Sequence, residues 1–248
     1  MTHLLETKGL EIRFGGVVAA DNVTLQIDAG KNLAIIGPNG AGKTTFLNIC
    51  TGWIKPAKGK VYFEGRDVTP MSPRAITRLG VARAFQIPQL FTEHTALENL
   101  LIAAAARDRL RNPIRALKDI RARSEMMHLL EMINCTDVAH RQVDELSEGQ
   151  RKLIDIAVAL ALKPKLLLMD EPTSGVASSE KFDVMEILVK ALAEADVTAV
   201  FVEHDMGIVE KYADEVAVWD SGQIMMRGTP QEVLEDPNVI RDVIGEVA

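Results

Sequence analysis

Cysteine is scarce: the 248 residues contain two, Cys50 and Cys135. Two thiols without metal-ligand spacing exclude a disulfide scaffold and a cysteine-based metal centre, so both are expected to be buried thiols. No apolar run approaches the roughly 18 to 20 residues of a membrane span. The first residues, Met1-Thr2-His3-Leu4-Leu5-Glu6, lack the basic segment and apolar stretch of a signal peptide. The expected location is therefore cytoplasmic. An excess of positive charge is also missing: the net charge of −7 argues against nucleic acid as the main partner. Internal repeats and low-complexity segments are absent. What is present, 47% hydrophobic and 25% charged residues, suits an ordinary globular chain of one large domain or two small ones.

The most informative stretch is Gly37-Pro38-Asn39-Gly40-Ala41-Gly42-Lys43-Thr44-Thr45, which reads G-x-x-x-x-G-K-[ST]. The short apolar run within Lys31–Ile36 before it predicts a buried parallel strand, and Thr45–Cys50 after it can open a helix. Glycines let successive backbone N–H groups turn inward around phosphate oxygens, and a helix N-terminus adds further unpaired donors. In such a loop Lys43 reaches the β- and γ-phosphates and the Thr44 hydroxyl binds Mg²⁺. The stretch predicts a nucleoside-triphosphate site.

Several other segments carry weaker signals. Residues 4–13 and 22–27 read as antiparallel strands joined around Phe14-Gly15-Gly16, where Phe14 either stacks on a purine base or plugs a core. Val61–Phe63 reads as a strand, and Ser72-Pro73 opens a short helix with Ser72 as cap. Residues Val81–Gln86 read as a strand ending on Gln86, and from about 95 to 141 the pattern is helical. Within it, 107–123 hold seven Arg or Lys against two Asp, a solvated helix face in preference to a partner- or lipid-docking surface. Leu146-Ser147-Glu148-Gly149-Gln150 precedes an apolar stripe of Leu153, Ile156, Ala157 and Leu160. Ser147 and Gln150 make a capping box, which starts a helix and equally favours an anion.

Lys165–Met169 is a continuous apolar run closed by Asp170-Glu171, acids that suit the ligand-binding carboxyl edge of a parallel sheet. Asp170 is expected to hold Mg²⁺ rather than merely cap a loop, and Glu171 to polarise an attacking water. Ser178–Ala195 reads as an amphipathic helix with Phe182, Met185, Leu188, Val189 and Leu192 inward. Val197–Val202 reads as a second buried strand leading to His204, either a phosphate donor or a structural residue. A hairpin follows across Asp220–Gln223, then two short helices capped at Thr229 and Asp236.

The order phosphate loop, Gln86, helical insert, Leu146–Gln150, Asp170-Glu171 and His204 resembles the ATP-binding cassette (ABC) family over nearly the whole chain. The resemblance implies an α/β fold: a P-loop NTPase core with a mainly parallel sheet, an antiparallel β subdomain and an inserted helical subdomain. It implies one domain over 1–248, with 1–94 and 160–248 as core and 95–159 as helical subdomain. By resemblance Phe14 stacks on adenine, Gly37–Thr45 hold ATP, and Thr44, Gln86 and Asp170 hold Mg²⁺. Glu171, His204 and Gln86 are the catalytic set, and Ser147, Gly149 and Gln150 contact ATP bound to a second copy. Finer features are similar to the ATPase subunit of branched-chain amino acid importers: Phe14-Gly15-Gly16, Leu90-Phe91, Glu203-His204-Asp205-Met206, Gly228-Thr229-Pro230, Asp236-Pro237 and Ile244-Gly245-Glu246. That group implies a homodimer or a heterodimer with a sister ATPase, two transmembrane permease subunits, an extracytoplasmic substrate-binding protein and no nucleic acid. The chain would sit at the cytoplasmic side of the inner membrane. The iron–sulfur cluster assembly ATPase and the lipopolysaccharide-export ATPase are the alternatives within the family. A P-loop kinase or GTPase would need an acceptor site or guanine-reading motif that the sequence does not show. Two positions depart from the pattern: Glu148 stands where the family usually has Gly, and Ala177 where it commonly has Asp.

Overall fold

The computed structural model describes residues 3–110 and 120–245. The chain opens with a hairpin, β1 (Leu5–Phe14) and β2 (Val17–Ile27), in which Phe14 pairs with Val17 across Gly15-Gly16. The second strand thus starts five residues before the expected Asn22. Its first half, Val17–Asp21, lacks an alternating pattern because register shifts interrupt the pairing. β3 (Leu33–Ile36) leads through the phosphate loop into α1 (Lys43–Cys50). β4 (Lys58–Phe63) and β5 (Arg66–Asp67) complete a four-stranded antiparallel sheet, β2-β1-β4-β5. α2 (Pro73–Thr77) follows; Ser72 stands at its cap position but its hydroxyl makes no capping bond.

β6 (Val81–Ala84) precedes a helical stretch of α3 (Ala96–Arg107), α4 (Ile120–Met132) and α5 (Glu148–Ala161), with α3 packed on both others. The segment before α3 is stitched to the segment before α5 by a bridge between Thr95 and Gln142 and by the Val143 N–H donating to the His94 carbonyl. Most of the basic stretch 107–123 lies outside the described residues; Arg107, inside them, pairs with Asp108 and Glu125. Then come β7 (Leu166–Asp170), α6 (Lys181–Glu194), β8 (Thr198–Val202), α7 (Met206–Tyr212) and the hairpin β9 (Glu215–Asp220) and β10 (Gln223–Gly228). The chain closes with α8 (Pro230–Leu234), α9 (Pro237–Val239) and a π-helical turn, Ile240–Ile244.

The second sheet runs β10-β9-β3-β8-β7-β6, with every neighbouring pair parallel except β10 with β9. Its inner strands read as unbroken apolar runs because alternate residues feed two cores. Leu33 and Ile35, Leu166 and Leu168, and Val200 and Val202 face the core shared with α1 and the antiparallel sheet. Ala34 and Ile36, Leu167 and Met169, and Ala199 and Phe201 face the core shared with the longer helices. Cys50 and Cys135 are buried, one in each core. Among the described residues no helix is long and apolar enough to cross a membrane.

Two expected boundaries and one expected orientation differ. β6 stops at Ala84 rather than Gln86, because the Phe85 N–H turns away to the Asp155 carboxylate. α6 starts at Lys181 rather than Ser178, since 172–180 form successive turns closed by Ser174 N–H to the Glu171 carbonyl and Glu180 N–H to that of Ala177. Phe182 is 38% exposed rather than inward; the Lys211 ammonium lies over its ring at 5.6 Å.

The helical stretch starts at a complete capping box: Thr95 Oγ1 accepts from the Glu98 N–H at 3.2 Å, and Glu98 Oε2 accepts from the Thr95 N–H at 2.9 Å. Thr95→Ala is expected to cost about 1 kcal/mol in urea unfolding; an unchanged midpoint would show that the box does not stabilise α3.

Candidate active site

Parallel strands put their carboxyl ends at one edge, and the register makes that edge level. Asp170 pairs with Val202 and Val202 with Ile35, so β7, β8 and β3 end side by side. The Glu171 N–H then donates to the Val202 carbonyl and the Glu203 N–H to that of Ile35. The phosphate loop, Asp170-Glu171, Glu203-His204 and, beyond β6, Gln86 therefore converge although far apart in sequence.

The phosphate loop is braced from two sides. A Cβ at Gly37 would stand 1.9 Å from the Trp219 carbonyl oxygen, and one at Gly42 would stand 2.0 Å from that of Ala19. Both have positive φ, 149° and 108°, so only glycine fits. Lys43 is buried; its ammonium donates to the Gly37 carbonyl at 2.6 Å and the Pro38 carbonyl at 2.8 Å. Burial pulls its pKa below the ordinary lysine value, against the opposing pull of Glu171 and Asp170. Phe14, Asn39–Thr45 and Glu171 line a cleft of about 210 Å³. Phe14 is half exposed at its rim, so it is no core plug.

Behind the loop lies a buried polar chain. The Thr44 hydroxyl donates to Asp170 Oδ1 at 3.2 Å, and Arg83 Nη2 donates to Asp170 Oδ2 at 2.9 Å. The other Arg83 terminal nitrogen donates to Asn48 Oδ1 on α1. Arg83 and Asp170 side chains are only 6% and 3% exposed. Burial lowers the Arg83 pKa, and Asp170 opposes that shift. Thr44 and Asp170 together offer a hydroxyl and a carboxylate, an all-oxygen set that fits a hard cation. Among the described residues no cluster of three or more His, Cys, Asp or Glu could hold a metal by itself.

Glu171 is the meeting point. Gln86 Nε2 donates to its Oε2 at 2.7 Å, and His204 Nε2 lies 3.1 Å from its Oε1. Glu171 also lines a second cleft, of about 530 Å³, with Thr173, Ser174, Gly175, Lys181, Glu203, His204 and Asp205. Glu203 fixes this side: its buried carboxylate accepts from the Thr173 hydroxyl at 2.6 Å, the Thr173 N–H at 3.2 Å and the His204 N–H at 3.1 Å. A larger hollow, about 680 Å³ between α4 and α6, involves none of these residues.

The residues expected at the site divide into two groups. Phe14, Gly37–Thr45, Gln86, Asp170, Glu171 and His204 come together, with Gln86 beside Glu171 rather than in contact with Asp170. Ser147, Gly149 and Gln150 line neither cleft. Ser147 is exposed and caps α5: its hydroxyl accepts from the Gln150 N–H at 3.3 Å, and Gln150 Oε1 accepts from the Ser147 N–H at 3.1 Å. Glu148 is accommodated against Gly175, where an added Cβ would stand 3.3 Å from its Cγ. Arg83 and Asn48 are neighbours of the site that sequence reasoning missed, and Glu203 was named there only as part of a motif, with no role. A charged residue inside the otherwise apolar Val81–Ala84 was the signal available for Arg83.

Comparison with known proteins agrees with this geometry. Residues 20–174 match the family described as ABC transporter. The chain is 34% identical to the high-affinity branched-chain amino acid transport ATP-binding protein BraF of Pseudomonas aeruginosa, over 98% of each chain. It superimposes on the ADP conformation of MJ1267, an ATP-binding cassette of an ABC transporter, with a TM-score of 0.85 and 34% identity over 97% of this chain and 98% of that one. It also superimposes on a dimeric post-hydrolysis state of the cassette MJ0796 bound to ADP and Pi, with a TM-score of 0.78 and 27% identity over 91% of this chain and 98% of that one.

Gly42→Ala should displace the loop from β2 and weaken binding of a fluorescent ATP analogue about ten-fold or more. Equal affinity of variant and parent in that titration would show that the loop is not the binding element.

Proposed function

The chain belongs to the ABC transporter family as an ATP-binding cassette ATPase, and on that premise we propose that it powers a membrane importer for branched-chain or related amino acids. The observation that carries the catalytic part is the position of Glu171, shared by both clefts and touched by Gln86 and His204. The substrate class rests on the relative named for branched-chain amino acid transport.

In this reading ATP lies along the phosphate loop with adenine against Phe14. Backbone N–H groups of Gly40–Thr45 and the start of α1 meet the phosphate charge, and Lys43 exchanges its loop carbonyls for phosphate oxygens. Thr44, Asp170 and Gln86 would hold Mg²⁺, which when bound neutralises phosphate charge. Glu171 orients and polarises a water for in-line attack on the γ-phosphorus, and ADP leaves from the opposite side. His204 steadies the Glu171 carboxylate and faces the γ-phosphate, while Gln86 ties Glu171 to the loop leading into the helices.

Two copies would meet head to tail, so that Ser147, Gly149 and Gln150 of each complete the site of the other. This arrangement gives the exposed α5 N-terminus an anion to bind. ATP binds the closed pair better and so shifts the population toward closure. Exposed Trp53, Ile87 and Phe91 around the Gln86 loop form an apolar surface for two permease subunits, which are separate chains. An extracytoplasmic binding protein would deliver the amino acid, which never touches this chain. The chain itself would sit peripherally on the cytoplasmic side of the membrane. Residues 95–159 would serve as the helical arm, and 1–94 with 160–248 as the nucleotide-binding core.

Glu171→Gln should still bind ATP and dimerise, with turnover reduced at least about 100-fold; fast hydrolysis by that variant would remove Glu171 from the mechanism. His204→Ala should likewise lose most activity, and full activity would make the histidine structural. Purification in mild detergent should retain two multi-span subunits and a binding protein, identified by mass spectrometry. Recovery with soluble scaffold proteins alone would leave the ATPase and overturn the transport role.

A further inference from the structure

Two buried charges on α5 have no part in the chemistry above. Lys152 and Asp155, 3% and 6% exposed, lie three residues apart on the helix that begins at Ser147. The Lys152 ammonium donates to the backbone carbonyl of Gln86, and to that of Glu171 at 3.3 Å. The Asp155 carboxylate accepts from the Phe85 N–H at 3.3 Å and from the Gln89 N–H at 3.1 Å. The two side chains therefore grip the loop on both sides of Gln86, and Lys152 grips the backbone of Glu171 as well. Further along the same loop, Asn99 exchanges two hydrogen bonds with the Phe91 backbone, at 2.8 and 3.1 Å. Buried charges are costly unless their hydrogen bonds are filled, and here backbone groups fill them.

We propose that Lys152 and Asp155 are positioning residues, a strut through which the helix starting at Ser147 sets the placement of Gln86 and Glu171. The proposal rests on the catalytic reading of Glu171 and goes beyond it. A shift of α5 is delivered to the Glu171 backbone and the Gln86 loop together, because one ammonium holds both. Burial is consistent with such a role: it raises the Asp155 carboxyl to about 6 and lowers the Lys152 ammonium from its ordinary value.

The test uses the full chain and the near-isosteric variants Lys152→Met and Asp155→Asn. Each should lose roughly ten- to hundred-fold in kcat, while ATP affinity stays within about three-fold. Trp53 supplies a readout independent of activity. It is 62% exposed and meets the Phe85 ring edge-on at 6.1 Å, whereas Trp219, the other tryptophan, is fully buried. Acrylamide therefore reports Trp53 alone, and its quenching constant should change in both variants. Combining Lys152→Met with Gln86→Ala should cost no more than the worse single change, because both act on one unit.

Parental kcat and parental quenching in the two variants would overturn the strut, as would kcat losses that simply multiply in the double variant. Parallel loss of kcat, ATP affinity and thermal stability would assign the pair to general folding and overturn it too. If Glu171→Gln turns over normally, the catalytic reading fails; if Glu171→Gln is inert while Lys152→Met and Asp155→Asn turn over as the parent, the strut alone fails.

Discussion

The chemistry of this protein depends on the level register of its parallel strands. Ile35, Val202 and Asp170 stand in one row across β3, β8 and β7. Backbone bonds continue that row one residue beyond the strands, to Glu171 and Glu203. A slip of one residue in any of these strands would turn its side chains to the opposite core and carry its functional residue off the edge. The two cores enforce the register, because each strand feeds both and neither can accept the other's set without voids or overlaps.

Around that edge the protein uses buried charge to hold backbone and orient carboxylates. Arg83 takes one oxygen of Asp170 and leaves the other toward Thr44. Glu203 gathers two N–H groups and a hydroxyl from either side of the second cleft. Lys152 and Asp155 do the same for the loop around Gln86. Glu203, Lys152 and Asp155 have exchanged water for fixed protein dipoles and Arg83 for the Asp170 carboxylate, so removing a partner leaves an unsatisfied ion rather than a gap. The result is an edge at which Asp170, Glu203 and the backbone around Gln86 are each held by fixed partners.

How much of this was legible in the sequence follows from the range of each interaction. The phosphate loop and the capping boxes at Ser147 and Thr229 are local, so short sequence patterns specify them. The buried strands were readable because burial on both faces leaves an unbroken apolar run. The meeting of Gln86, Glu171 and His204 was not readable from spacing; it came from resemblance, and the structure adds the contacts. Arg83, Asn48, Lys152 and Asp155 were missed, and Glu203 was given no role, because their partners are mostly backbone groups or side chains distant in sequence. The end of β6 was misplaced for the same reason, since a carboxylate 70 residues away captures the Phe85 N–H. The helix α7 was missed because it is short and contains Gly207 near its start, although Asp205 caps it with two N–H bonds. Phe182 matched the inward stripe of α6, yet it stays 38% exposed with its ring under the Lys211 ammonium, while Val184 and Met185 beside it enter the core.

The bracing of the phosphate loop separates two kinds of attachment. At Gly37 and Gly42 the loop abuts backbone carbonyls of β9 and β2 with no room for one carbon atom. Steric contact of that kind has no flexible side chain to absorb displacement. The loop is thus seated directly against β9 and against β2 of the antiparallel sheet, whose hairpin carries Phe14. The 85–95 loop and its helices reach Glu171 through side chains, which can lengthen, rotate and re-form. Ordering of the nucleotide cradle is complete when the chain folds, so binding need not supply that entropy. At the side-chain junction, by contrast, a small rotation costs hydrogen bonds rather than overlapping atoms.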